Sequence, residues 1–151
     1  MKVLNIWLPD KVHAKIERLT NPALPEREAL ESEKNIILYI SPDLNEIVSS
    51  FAIGGGRTGS TRVGYKKSDL YKMLLIGFYK AWRIKDADSK WQAQELQELK
   101  IIAMSLVPKI NKVRRGKNIG GQKITKQLLL SAILHRVIST QDLKIFFEKM
   151  L

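Results

Sequence analysis

The apolar positions change period several times along the chain, and each change marks an element. In KVLNIWLPDKVHAKIERL, Leu4, Ile6 and Leu8 alternate with Val3, Asn5 and Trp7, the period of a strand with two unlike faces. From Pro9 and Asp10 the spacing widens, and Val12, Ile16 and Leu19 fall on one side of a helix that Asn21, Pro22 and Pro25 close. The same design returns 32 residues later in NIILYISPDLNEIVSSF. Ile36, Leu38 and Ile40 form one strand face, with Asn35, Ile37 and Tyr39 on the other. Ser41 and Pro42 then suit an N-cap and first helical position, and Leu44, Val48 and Phe51 match Val12, Ile16 and Leu19 without a gap.

The remaining pattern is helical. KKSDLYKMLLIGFYKAWRI is apolar almost all round: Leu70, Leu74, Phe78 and Ala81 form one stripe, and Met73, Ile76, Tyr79 and Trp82 fill the rest. Such a helix is buried between layers or lies in a subunit interface. Asp86 and Asp88 mark a turn, and SKWQ, a capping-box pattern from Ser89 to Gln92, opens the next helix, expected to end or kink near Pro108. After KINKVRRGKNIGGQK comes a strongly apolar helix over 124–138, and Ser139 opens a short last one. The expected fold is mainly α with a small two-stranded β element. Its duplicated strand–helix region spans 1–85, and a helical region, 86–151, packs with it as one domain.

Charge sharpens this picture. The chain carries 26 Lys and Arg against 15 Asp and Glu, and the excess is not spread evenly. Residues 47–85 hold 8 basic groups and 1 acid; residues 99–141 hold 9 and none. Each block surrounds a glycine-containing loop, and positive charge so concentrated attracts polyphosphates. There is no cysteine, which removes disulfides and thiolate metal sites and is compatible with a reducing cytosol. No run approaches the length of a membrane span, so a cytoplasmic protein is expected.

The first loop, IGGGRTGSTRVGYKK, comes close to a nucleotide-binding P-loop. Gly54 and Gly59 have its spacing, yet Ser60 stands where the phosphate-neutralising lysine belongs. The phosphates of a polymer fit better. Glycines let the backbone approach, Arg57, Arg62, Lys66 and Lys67 supply counter-charge, and Ser68 begins a helix whose amides point the same way. Lys112, Arg114, Arg115, Lys117, Lys123 and Lys126 repeat this logic in the second loop. His13 and His135 lie on different helices without clustered carboxylates and suit surface or interface positions. Trp82 and Trp91 suit the core. No nucleophile–base pair stands out, so neither catalysis, nor a metal, nor a cofactor is expected.

A short alternating strand, a proline-bearing turn, a helix, a loop and a helix beginning SDL resemble the ribbon-helix-helix family of bacterial DNA-binding proteins, best over residues 35–82 and again over LNIWLPDKVHAKIERL. The resemblance covers about half the chain. It implies an antiparallel two-stranded ribbon that enters the major groove and a helix N-terminus that grips a phosphate. Carried over, the reading face is Val3, Asn5 and Trp7 with Asn35, Ile37 and Tyr39, and the grip lies at Lys67 and Ser68. The duplication implies that one chain forms its own ribbon, a pseudo-dimer. Helix 124–138 is the candidate for the second helix that the N-terminal copy lacks. The implied function is a regulator or accessory factor of a bacterial operon, plasmid or mobile element, nucleoid-associated and usually dimeric, with duplex DNA favoured over RNA. The exposed apolar sides of 67–84 and 124–138 supply a dimer interface if they do not meet each other. The chain departs from the family in its long inter-helix loop and in the absence of arginine, lysine or threonine from the reading face. A small, helical, basic subunit of a ribonucleoprotein or larger assembly, holding RNA or single strands, is the alternative. A protein-binding adaptor for an acidic partner is a third.

Overall fold

In the computed structural model, residues 1–52, 65–84, 89–114, 116, 118–120, 123–140 and 142–150 are described. They form two strands and six helices: β1 (Lys2–Pro9), α1 (Asp10–Thr20), β2 (Glu33–Ile40), α2 (Pro42–Ser49), α3 (Lys67–Ile84), α4 (Ser89–Val113), α5 (Lys126–Thr140) and α6 (Leu143–Met150). The strands pair antiparallel within the one chain. Their alternation divides the sheet as the sequence pattern predicts. Ile6, Leu8, Ile36, Leu38 and Ile40 are buried on one face, while Val3, Asn5, Trp7, Asn35 and Ile37 are exposed on the other.

The pairing register and the sequence repeat have a common centre. Asn5, whose equivalent 32 residues on is Ile37, is paired with Ile37 itself. An approximate two-fold axis therefore passes between these two residues, and other pairs come in matched couples. Leu4↔Leu38 corresponds to Ile6↔Ile36, and Val3↔Tyr39 to Trp7↔Asn35. The helices follow the same relation: α3 packs against β1 and α5 against β2, α2 packs with α3 as α1 does with α5, and α3 meets α5. The meeting of α3 and α5 answers the sequence-based condition for an interface, since these two apolar helices cover each other. Helix α4 lies outside the repeat and packs along α5.

Helix α5 is the centre of the molecule. Residues 128–134 are buried without interruption, because β2, α1, α2, α3 and α4 surround this helix. Two of its polar residues, Ser131 and His135, bond the backbone at the end of β2 and just after it. The Ser131 hydroxyl accepts the Tyr39 N–H at 3.1 Å and donates to the Gln127 carbonyl at 2.7 Å. One turn on, His135 Nε2 accepts the Ser41 N–H at 3.1 Å, and Nδ1–H donates to the Ser131 carbonyl at 2.7 Å. The C-terminal end of the outer edge of β2 is thereby capped instead of being left open to another strand.

Three expectations are corrected. Of the two outcomes expected at Pro108, an end or a kink, the end is excluded: α4 runs on to Val113, so Lys112 stands on a helix and not in a loop. Pro108 and Met104, four residues earlier, are both exposed, so the carbonyl that proline deprives of its bond lies on the solvent side, where water can serve it. His13 is buried and not a surface residue: its Nε2–H donates to the Lys34 carbonyl at 3.0 Å, which ties α1 to β2. Tyr39 alternates onto the open face yet is 8% exposed, unlike Val3, Asn5, Trp7, Asn35 and Ile37 beside it. Trp82 is in the core, as expected. Asp86 and Asp88 lie outside the described residues, as does the side chain of Trp91.

Both histidines are held neutral. Burial pushes each below the usual imidazole value; a proton on His135 Nε2 would also face the Ser41 N–H that this nitrogen accepts. A group whose folded pKa is depressed contributes stability above its unfolded pKa, near 6.5, and loses it as pH falls. The urea midpoint is therefore expected to drop between pH 7.5 and 5.5, by up to about 1 kcal/mol of stability for each histidine, as the unfolded chain takes up protons that the folded one does not. A midpoint unchanged across that window contradicts these tautomers.

Candidate nucleic-acid interface

The open face of the ribbon is built from three consecutive cross-strand pairs: Trp7↔Asn35, Asn5↔Ile37 and Val3↔Tyr39. The N–H of Tyr39 turns outward to Ser131, and the Asp10 N–H continues the ladder to the Ser32 carbonyl at 3.2 Å. The three pairs are therefore non-hydrogen-bonded ones, in which opposed side chains stand closest together. Val3 is 58% exposed, Trp7 56% and Ile37 42%, large values for apolar side chains on a sheet that buries its opposite face so completely. An exposed apolar cluster of this kind, interleaved with two amides, marks a contact surface better than scattered single residues would.

Next along this face comes the last strand pair, Pro9↔Glu33, and Lys72 of α3 takes the Glu33 carboxylate in an ion pair. Behind it sits a buried acid, Asp10, at the start of α1. Arg27 grips it through two bonds, Nη1 at 2.6 Å and Nη2 at 2.8 Å; the Leu30 N–H donates to it at 2.8 Å and Lys34 Nζ lies at 3.2 Å. The hydrogen bond from Arg27, then that from Leu30, hold its carboxyl far below the usual carboxylate range. Arg27 also reaches Glu17 at 3.3 Å, so one guanidinium fastens the polar segment 21–32 across α1. That segment brings Glu26, Glu28 and Glu31, all exposed, so the loop between β1–α1 and β2 is acidic.

The phosphate contacts expected from the sequence fall into three groups. Lys66 and Ser68 are exposed and Lys67 half-buried at the start of α3; Lys112 is exposed on α4, Arg114 half-buried after it, and Lys123 exposed before α5. Lys126 is already engaged, its Nζ 2.9 Å from Glu17. Arg57, Arg62, Arg115 and Lys117 lie outside the described residues. What the structure adds is placement: one basic segment leads into α3 and the other into α5, the two helices related by the ribbon's axis. In the second segment, the Asn111 side chain clamps Ile119. Its Oδ1 accepts the Ile119 N–H at 2.9 Å and its Nδ2 donates to the Ile119 carbonyl at 3.1 Å.

Two features escaped the sequence reading. The Asp10–Arg27 anchor had no local signal, because its partners are 17 residues apart. The cap on β2 had one: Ser131 and His135, one turn apart, interrupt an otherwise apolar run.

Among the described residues no group of three or more His, Asp or Glu side chains could hold a metal ion, and no helix is long and apolar enough to cross a membrane. No protein-family model, curated protein or solved structure matches the chain.

Proposed function

We propose that this chain is a non-enzymatic duplex-DNA-binding protein that presents a single-chain ribbon to the major groove and holds the phosphates with its two basic segments. The observation that carries this reading is the open ribbon face, where Asn5, Asn35, Trp7, Val3 and Ile37 stand exposed in register on a rigidly backed sheet. A two-stranded ribbon is one of the few elements that the major groove admits. The ribbon-helix-helix resemblance supports the same reading, with β1, α1 and α5 as one half and β2, α2 and α3 as the other. Lys67 and Ser68 then stand at the N-terminus of α3, where the family grips phosphate. A regulator or accessory factor of an operon, plasmid or mobile element is the setting that this reading implies.

The loops are tested through salt. Each phosphate that a basic side chain neutralises adds about 0.9 to the slope of log K against log salt. Alanine at Lys66 and Lys67, or at Lys112, Arg114 and Lys123, is expected to weaken binding alike on all duplex sequences. The slope should become shallower by about 1 for each phosphate left without its cation. A slope equal to that of the parent protein removes these residues from the interface.

A second reading, a basic subunit of a ribonucleoprotein or other assembly, is favoured by α4. Ile101 and Met104 are exposed there, three residues apart on one helix face, as a partner protein would require. Preference for RNA or single strands is its signature.

A further inference from the structure

The three central pairs of the open ribbon face carry no charged side chain. Glu33, at the end of that face, is committed to Lys72. Guanine presents two acceptors in the major groove, O6 and N7, and is read by the paired donors of arginine or lysine; cytosine presents a donor and is read by a carboxylate. Neither chemistry is free on this face. An asparagine amide instead matches adenine, giving its NH2 to N7 and accepting from the N6 amino group, while apolar side chains rest on the thymine methyl.

The two-fold relation adds direction. Across the axis Asn5 corresponds to Ile37 and Asn35 to Val3, so each amide is matched by an aliphatic side chain and not by a second amide. A symmetric ribbon on a palindrome would repeat the same contact on both sides. This ribbon exchanges an adenine contact for a methyl contact as the axis is crossed. The exposed aromatic is unequal too: Trp7 stands out from the face, whereas its equivalent Tyr39 is buried.

We infer that the ribbon reads a non-palindromic A·T element in the major groove, with Asn5 and Asn35 each spanning N6 and N7 of an adenine and Val3 and Ile37 against thymine methyl groups. The inference rests on the duplex-DNA reading and names the bases that this reading leaves open.

The test begins with selection of duplexes from a pool with a randomised core, using the full chain. The expected motif is rich in A·T pairs and lacks two-fold symmetry. On that duplex, 7-deazaadenine, which lacks N7 but keeps the N6 amino group, is expected to weaken binding about 2- to 10-fold at a contacted adenine, the range of one hydrogen bond. Uracil for thymine, which removes only the methyl, should weaken it where Val3 or Ile37 lies. Asn5→Ala and Asn35→Ala alter exposed side chains, so circular dichroism should match the parent; each should lose the 7-deazaadenine effect at one adenine and keep it at the other. Duplex binding with a palindromic motif, a G·C-rich motif or no motif overturns the inference and leaves the DNA reading standing. Failure to bind any duplex in the pool overturns both.

Discussion

Alanine in place of Asp10 is expected to cost about 3 kcal/mol of folding stability, read as a fall in the urea midpoint at pH 7. Asp10 is fully buried and receives Arg27, Lys34 and the Leu30 amide at once. Removing one partner of a buried ion pair costs on the order of 3–5 kcal/mol, because the other charge is left behind. The lower end applies here, since Arg27 keeps 35% of its side chain exposed and can return to water. Asp10→Asn keeps the acceptor for Leu30 and should cost less. The acid limb gives a second check. A carboxyl whose folded pKa is depressed contributes stability above its unfolded pKa, near 3.9, and loses it as pH falls below that value. The parent should therefore lose stability more steeply than Asp10→Ala between pH 4 and 2. A variant as stable as the parent, with the same acid limb, would mean that the segment 21–32 is not anchored through this acid.

Leu134→Ala should destabilise comparably, by about 2–5 kcal/mol, the range for a leucine truncated in a core that cannot close the gap. Leu134 is wholly buried in α5, which is enclosed by β2 and four helices, so little around it can collapse. Ile101→Ala, also on a helix but 62% exposed, should change stability by less than about 0.5 kcal/mol. The contrast within one preparation separates a buried central helix from a general intolerance of substitution. A Leu134→Ala loss below about 1 kcal/mol contradicts the central place of α5.

The elements that write their burial into a period were legible from the sequence alone. Leu4, Ile6 and Leu8 alternate because one face of a two-stranded sheet is covered, and Ile36, Leu38 and Ile40 repeat that alternation 32 residues on for the same reason. From that offset the pairing within one chain could be expected. Helix α5 was legible as a buried helix, but an all-round apolar pattern does not say what surrounds it, and β2 as its neighbour emerges only in three dimensions. Rules about single residues did worse. Pro108 reads as a stop or a kink, and the stop fails because it sits on the solvent side of α4, where a missing hydrogen bond is cheap. His13 reads as a surface or interface group because its partner, the Lys34 carbonyl, is 21 residues away. Tyr39 obeys the alternation yet is buried, which the period alone does not foretell. On the candidate interface, Asn5, Trp7 and Asn35 stand on the open face that the alternation assigns to them. The charges were legible as blocks, but not the ion pairs that engage Lys72 and Lys126 with Glu33 and Glu17.

The ribbon and its flanking basic segments are proposed to meet duplex DNA. Fluorescence anisotropy with matched duplex DNA, single-stranded DNA and RNA across a salt series tests this most directly. The expected result is tightest binding to the duplex, with a steep fall in affinity as salt rises. Tighter binding to RNA or single strands, or no binding at low salt, contradicts it.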